Sequence, residues 1–154
     1  MLTAADYPCP IGILHAEFDG DVLCTLILST PAESRIPDTP AAIALGHALD
    51  RYFAGDAHAF ADIAIRMRGT PFQIKVWNAL RGIPHGQVRT YGEIAAVIGQ
   101  PGASRAVGGA CSKNRLLLIV PCHRVVSSGG GLGGFEYGAD IKQQLLRLES
   151  AKIG

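Results

Sequence analysis

Residues 90–112, Thr90-Tyr91-Gly92-Glu93-Ile94-Ala95-Ala96-Val97-Ile98-Gly99-Gln100-Pro101-Gly102-Ala103-Ser104-Arg105-Ala106-Val107-Gly108-Gly109-Ala110-Cys111-Ser112, carry the pattern that decides the fold. Thr90 with Glu93 three positions later is a capping box, which predicts a short helix through Ile94, Ala95, Val97 and Ile98. Gly99 to Gly102 must stop it, and Ala103 to about Ser112 reads as a second helix. Two helices joined by a tight glycine-containing turn make a helix-turn-helix candidate. Gly108 and Gly109 each weaken that second helix by about 1 kcal/mol relative to alanine. The backbone there is therefore expected to lie close to a partner, either another helix or nucleic acid.

Upstream, Thr70-Pro71 offers a cap and a first-turn proline for a helix carrying Phe72, Val76, Trp77 and Leu80 on its apolar side, and Ile83 to Gln87 reads as a turn. The texture changes near Gly69, which sets the expected domain division at 1–67 and 68–154. In the first part, Ile11–Phe18 and Val22–Ser29 are β-rich runs joined by Asp19-Gly20-Asp21, a hairpin signal. Thr39-Pro40 opens an Ala/Leu-rich helix running to Phe53, which Gly55 can close. Phe60–Ile65 is expected to return as a further strand. The first part thus reads as a small α+β scaffold lobe.

Downstream, Leu116–Val120 is an apolar run of strand length, ended by Pro121, which delivers Cys122 and His123. Ser127–Gly134 is a glycine-rich loop. The last helix, Asp140 to Ala151, places Ile141, Leu145 and Leu148 on one stripe, with Lys142 and Arg147 outside it. Glu149 lies at the edge of that stripe, turned towards the core, where a carboxylate needs a partner.

The 154 residues are 48% hydrophobic, enough for a buried core in one domain or two small ones. Net charge is +1, but it is unevenly spread. Residues 1–65 hold two arginines against nine acids, a net −7, and residues 66–154 hold twelve Lys/Arg against four acids, a net +8. A basic second part suits a polyanion, although two mutually attracted lobes or solvated faces would give the same balance. No signal-peptide pattern opens the chain and no segment has the length of a membrane span, so a cytoplasmic location is expected. Cys9, Cys24, Cys111 and Cys122 show neither disulfide nor zinc-ribbon spacing and read as reduced thiols.

Cys122 can be a nucleophile only as a thiolate, which burial opposes, so it needs a base or a positive field. His123 is adjacent, but neighbours on an extended strand point apart, so contact calls for a bridging water or a sharp turn at Pro121. A histidine base wants a third group to hold its tautomer, and Glu149 is the acid of the basic half that leans inward. A Cys122-His123-Glu149 relay follows.

The Pro121-Cys122-His123-Arg124 run, the glycine loop after it and the helix-turn-helix before it together resemble the O6-alkylguanine-DNA alkyltransferases, over about Gly69 to Glu149. The resemblance implies an α+β chain with a ribonuclease H-like N-terminal sheet lobe and a mainly helical, winged-helix-like DNA-binding domain. It implies DNA repair by methylated-DNA-protein-cysteine S-methyltransferase activity: O6-alkylguanine, with O4-alkylthymine as a second candidate, is flipped out of duplex DNA and its alkyl group moves irreversibly to Cys122. His123 then acts as base through water, Glu149 orients it, and Asn114 ties the active-site turn to the helix-turn-helix. Arg105 enters the stack in place of the extruded nucleotide, and Tyr91 crowds the target phosphate. Ala106, Gly108, Gly109, Ser112 and Lys113 complete the DNA-binding helix, set in the minor groove and held mainly by backbone contacts. Val125, Phe135 and Glu136 form the substrate pocket, with Phe in place of a frequent Tyr and Glu in place of Ser or Arg.

No cofactor is expected. Zinc is not expected either: Asp62 replaces a histidine that some members use as a ligand, Cys9 and Cys24 do not supply the pattern, and His15, His47 and His58 read as ordinary histidines. The partner expected is double-stranded DNA and no membrane, with a protein that is a monomer in solution, open to cooperative assembly on DNA, and nucleoid-associated if bacterial. The rival from the same fold is an alkyltransferase-like lesion-binding protein, against which Cys122 speaks. A helix-turn-helix regulator is disfavoured by the small-residue helix. A cysteine hydrolase would need an acyl pocket and oxyanion site that no motif announces.

Overall fold

In a computed structural model, residues 2–30 and 33–149 are described. The chain divides into two compact units, Met1–Arg68 and Gly69–Gly154.

The first unit is built on an antiparallel meander, β1 (Leu2–Cys9), β2 (Gly12–Asp19) and β3 (Val22–Leu28), in the order β1-β2-β3. β1 was not expected, because Asp6 and Pro8 interrupt its β-rich character. Asp6 is tolerated in the buried register because its carboxylate accepts from Arg35 N at 2.8 Å and pairs with His15 Nδ1 at 2.8 Å. α1 (Pro40–Phe53) starts as expected, with the Thr39 hydroxyl accepting from Ala42 N, and lies against β1. Gly46 leaves room for the Tyr7 ring, 3.4 Å from where a Cβ would stand, and the Tyr7 hydroxyl donates to Ala42 O at 2.8 Å. Leu14, Phe18, Leu23, Leu26, Leu45 and Tyr52 fill the core.

Phe60–Ile65 does not form a strand. Residues 59–62 are turns, and Ile65 alone bridges to Leu23, in parallel sense. Phe60 stacks on Tyr52 with ring centroids 5.3 Å apart, and this packing takes the place of a regular alternation.

In the second unit α2 (Pro71–Arg81) begins with a full capping box between Thr70 and Gln73, and α3 (Tyr91–Val97) with one between Thr90 and Glu93. α4 (Ser104–Ser112) packs against both. Trp77 anchors the three helices: it is buried and its Nε1 donates to Ala110 O at 2.9 Å. Gly69 is required beneath it, since a Cβ there would come within 2.6 Å of the indole. β4 (Arg89–Thr90) and β5 (Val125–Val126) form a two-residue parallel pair, and α5 (Ala139–Leu148) follows the glycine loop. The expected helix end at Ala151 lies outside the described residues.

Leu116–Val120 is buried throughout, but as a turn and not a strand. Asn114 organises it: Oδ1 accepts from Leu116 N at 2.9 Å and Nδ2 donates to Val120 O at 2.8 Å. Val120 N closes back on Leu116 O at 2.9 Å, and Leu118 takes φ +73°, a left-handed conformation that costs a branched residue strain. The apolar run satisfies its backbone through one amide side chain where a strand would have needed a neighbouring edge.

Lys142 also departs from expectation. It is fully buried, and the inward face of α5 runs through Lys142, Leu145 and Leu146 to Glu149, while Ile141 and Leu148 lie half-buried at the flanks. Among the described residues no helix is long and apolar enough to cross a membrane, and no group of three or more His, Cys, Asp or Glu is placed to hold a metal ion.

Candidate active site

Pro121 leads into a single 3-10 turn, Cys122–Arg124, closed by Arg124 N on Pro121 O at 3.0 Å. Three residues per turn splay successive side chains about 120° apart, so the strand geometry that would separate Cys122 from His123 by 180° does not apply. Cys122 lines a cavity, whereas His123 and Arg124 point into the protein.

The inward pair meets Glu149. His123 Nε2 and Glu149 Oε2 are 2.8 Å apart, and both side chains are fully buried. Arg124 donates to the same carboxylate through Nε to Oε1 at 2.8 Å and Nη2 to Oε2 at 3.0 Å, and its Nη1 reaches Ile83 O at 2.7 Å. Burial alone would raise the Glu149 pKa, but the hydrogen bonds from His123 and Arg124 outweigh it and hold the carboxyl ionised, well below the usual range. An acceptor-only carboxylate fixes the His123 proton on Nε2 and leaves Nδ1 as the basic nitrogen. Among the described residues no protein group bonds Nδ1. Burial lowers the His123 pKa against the opposing pull of Glu149, so the ring is neutral and able to accept a proton near neutral pH.

Asn114, two residues beyond α4, also reaches Cys122. Besides shaping the turn, its Nδ2 donates to Cys122 Sγ at 3.3 Å. Burial pushes the Cys122 thiol up, and the Asn114 hydrogen bond and the Lys142 ammonium oppose that rise. Lys142 Nζ donates to Val125 O at 2.5 Å and Gly134 O at 3.1 Å, and stands 6.0 Å from the centroid of the Tyr91 ring. It ties β5, just after the Cys122–Arg124 turn, to the glycine loop. Burial lowers its own pKa, opposed by the two nearby thiols, Cys122 and Cys111.

The cavity holds about 410 Å³, and its lining includes Tyr91, Asn114, Cys122, Gly134, Phe135 and Glu136. Tyr91 donates its hydroxyl to Gly134 O at 3.3 Å. Gly133 is obligatory beside it: φ is +76°, and a Cβ would lie 2.9 Å from the Tyr91 ring. Val125 is absent from this wall; it is fully buried and its carbonyl is engaged by Lys142.

On α4, Arg105, Ala106, Gly109 and Ser112 are exposed, as is Lys113 just beyond. A Cβ on Gly108 would stand 3.8 Å from the Tyr91 ring, an ordinary contact, and one on Gly109 would meet open space, so no neighbouring helix requires either glycine. Of the two expected partners for that backbone, the intramolecular one is removed. Ser112 Oγ caps its own helix on Gly109 O at 2.7 Å.

The structure therefore gathers Cys122, His123, Glu149 and Asn114 into one cluster, with Tyr91, Phe135 and Glu136 on the cavity wall together with Gly108 and Ser112 of α4, and with Arg105, Ala106, Gly109 and Lys113 on the surface. Sequence reasoning missed Arg124 as the second partner of Glu149, the Lys142 tie, and Cys111 and Tyr137 in the cavity lining. Lys142 had a signal: it precedes Glu149 by seven positions, two helical turns, so an inward Glu149 brings Lys142 to the same face.

A family model described as "6-O-methylguanine DNA methyltransferase, DNA binding domain" matches residues 71–151. A methylated-DNA–protein-cysteine methyltransferase of Methanosarcina acetivorans is 53% identical over 103 residues, which cover 67% of this chain and 65% of that protein, so the match spans just under two thirds of that relative. One of Mycobacterium bovis is 45% identical over 148 residues, covering 93% of this chain and 89% of that protein. Among solved structures, Mycobacterium tuberculosis OGT in complex with DNA is similar with a TM-score of 0.86 and 43% identity, over 96% of this chain and 92% of that one.

Proposed function

This chain belongs to the 6-O-methylguanine DNA methyltransferase family, and from that premise we propose that it repairs O6-alkylguanine in duplex DNA by moving the alkyl group to Cys122 in a single irreversible step. The observation that carries the assignment is the buried His123–Glu149 pair at 2.8 Å directly behind a cavity-lining cysteine that Asn114 holds at 3.3 Å.

An intervening water passes the Cys122 proton to His123 Nδ1. The thiolate attacks the alkyl carbon: the S–C bond forms, the C–O6 bond breaks, and the proton returns from His123 to the departing guanine, which leaves as the normal neutral base. The product is a thioether, a poor leaving group, so each molecule acts once. The electron and proton balance is complete without a cofactor.

Guanine O6 is out of reach while stacked, so the nucleotide is extruded at a cost of a few kcal/mol. Arg105, exposed on α4, fills the vacated place, and Tyr91 at the cavity mouth guides the rotated base. Ala106, Gly108, Gly109, Ser112 and Lys113 let the α4 backbone approach the minor groove closely, which suits binding that must ignore sequence. Phe135 stacks on the base, Glu136 forms the rim, and Val125 supports the pocket from behind. We read residues 1–67 as a ribonuclease H-like scaffold and residues 68–154 as a winged-helix-like domain. The protein works as a monomer, open to cooperative assembly along DNA, in the cytoplasm or nucleoid where its substrate lies.

The test is a titration of limiting protein with excess duplex bearing radiolabelled O6-methylguanine. Label fixed on protein should plateau at one equivalent or less. Continued turnover beyond that level, or binding without transfer, contradicts the proposal.

A further inference from the structure

Glu136 stands on the wall of the cavity that Cys122 lines. It is exposed, and among the described residues it makes no ion pair. The other lining side chains are apolar groups, hydroxyls, an amide and thiols, so Glu136 is the one carboxylic acid among the lining residues. Lys142, whose ammonium acts on the Cys122 thiol, is not part of the lining and donates to the carbonyls of Val125 and Gly134. Glu136 and Cys122 line the same cavity of about 410 Å³, and the Glu136 charge reaches the Cys122 thiol, whose pKa it helps to raise, so an adduct tail held at Cys122 lies within its field.

Resting on the alkyl-transfer reading, we propose that Glu136 sets the charge specificity of the pocket: it selects against O6-adducts with an anionic tail, such as carboxymethyl, and in favour of neutral or cationic tails of the same size. The reacting bonds are unchanged. Cys122 Sγ–C forms and C–O6 breaks whatever the tail, while an anionic tail must come to rest beside a like charge that has no compensating cation on the wall. For two like charges sharing one cavity, between aqueous screening and the stronger field near a protein surface, the penalty amounts to about tenfold in rate.

Single-turnover transfer from duplexes carrying O6-carboxymethylguanine and its neutral isostere O6-carbamoylmethylguanine isolates charge from size. The rate ratio of anionic to neutral adduct should rise about tenfold in Glu136→Gln and Glu136→Ser, and stay near the wild-type ratio in Glu136→Asp. A ratio that Gln and Ser leave unchanged overturns the inference. That includes the case in which both adducts accelerate together, as they would if Glu136 merely repelled DNA phosphates. Raising salt should narrow the wild-type gap and leave the Gln ratio flat. Failure to transfer even a methyl group from O6-methylguanine would instead contradict the alkyl-transfer reading, and the two failures are separated by running that substrate first.

Discussion

Replacing Glu149 by Gln keeps the shape of the side chain and removes its charge. The carboxylate accepts from His123 Nε2 at 2.8 Å, Arg124 Nε at 2.8 Å and Arg124 Nη2 at 3.0 Å, and two of these bonds share Oε2. With its oxygen in the Oε2 place, Gln keeps the His123 and Nη2 bonds and turns its NH2 against Arg124 Nε. With the amide reversed it keeps the Nε bond alone. Either way the buried Arg124 loses its counter-charge, and breaking a buried pair from one side costs about 3–5 kcal/mol. At about 2–4 °C per kcal/mol for a chain of this size, Tm should fall by about 6–20 °C. Function should fall further. A carboxylate forces the His123 proton onto Nε2, whereas the reversed amide donates to Nε2 and moves that proton to Nδ1, where it blocks the base. Loss of general-base assistance predicts transfer slowed by about 10²–10⁴-fold. The assay is single-turnover transfer from duplex O6-methylguanine, well below the variant's Tm, with the folded fraction checked by circular dichroism. A folded Glu149→Gln protein that transfers at the wild-type rate would refute the relay.

Lys142→Met leaves the buried Val125 carbonyl without its donor, a cost of about 1–3 kcal/mol in denaturant unfolding, and removes the cation beside the thiols. The pH dependence of Cys122 alkylation by iodoacetamide should move upward, and a downward move would contradict the placement of that charge. Arg105→Ala should slow repair of duplex by about tenfold or more while barely changing the reaction with free O6-benzylguanine, because its assigned work is the extrusion that costs a few kcal/mol; equal losses on both substrates would reject that role. The acid limb of the transfer rate should lie below pH 6.5, because burial holds the His123 pKa under its ordinary value and the ring stays a base until pH falls through that lowered value. Stability follows the same sign at Glu149: its contribution is present above the ordinary carboxyl value of 4.5 and is lost as pH falls through the depressed one, so a rate that declines at or above pH 6.5 in a fully folded protein would count against the neutral-base assignment.

Much of the helical framework was legible because its signals are local. The capping boxes at Thr70 and Thr90 and the Thr39-Pro40 start act within one turn, and the Asp19-Gly20 hairpin within two residues, so no tertiary information was needed. Leu116–Val120 shows where that reasoning stops. Five apolar residues have the length of a strand, but a strand needs an edge to pair with, and Asn114, two positions before the run, supplied the hydrogen bonds instead. β1 was hidden for the complementary reason: Asp6 argues against a buried strand until His15 and Arg35 are seen to satisfy it. At the site, the inward lean of Glu149 could be read from its spacing to Leu145, but its bidentate tie to Arg124 could not, because Arg124 lies beyond the expected Leu116–Val120 strand, where no local signal sets its direction. The 3-10 turn that brings both residues inward depends on how Pro121 meets the Asn114 turn, which is a tertiary event. Lys142 was misplaced by its residue type, since a lysine is assigned to solvent unless donors and acceptors are counted on the inner face.

Two thiols, Cys111 and Cys122, line the same cavity, and burial pushes Cys111 up to about 12, whereas Cys122 has the Asn114 hydrogen bond and is followed in the chain by His123, paired with Glu149. The most direct test of the account is therefore to react the protein with duplex O6-methylguanine, digest it, and locate the methyl group by peptide mass spectrometry. One methyl group on the peptide containing Cys122, with Cys111 unmodified, is the predicted result. Methyl on Cys111, or continued transfer in Cys122→Ala, would contradict it.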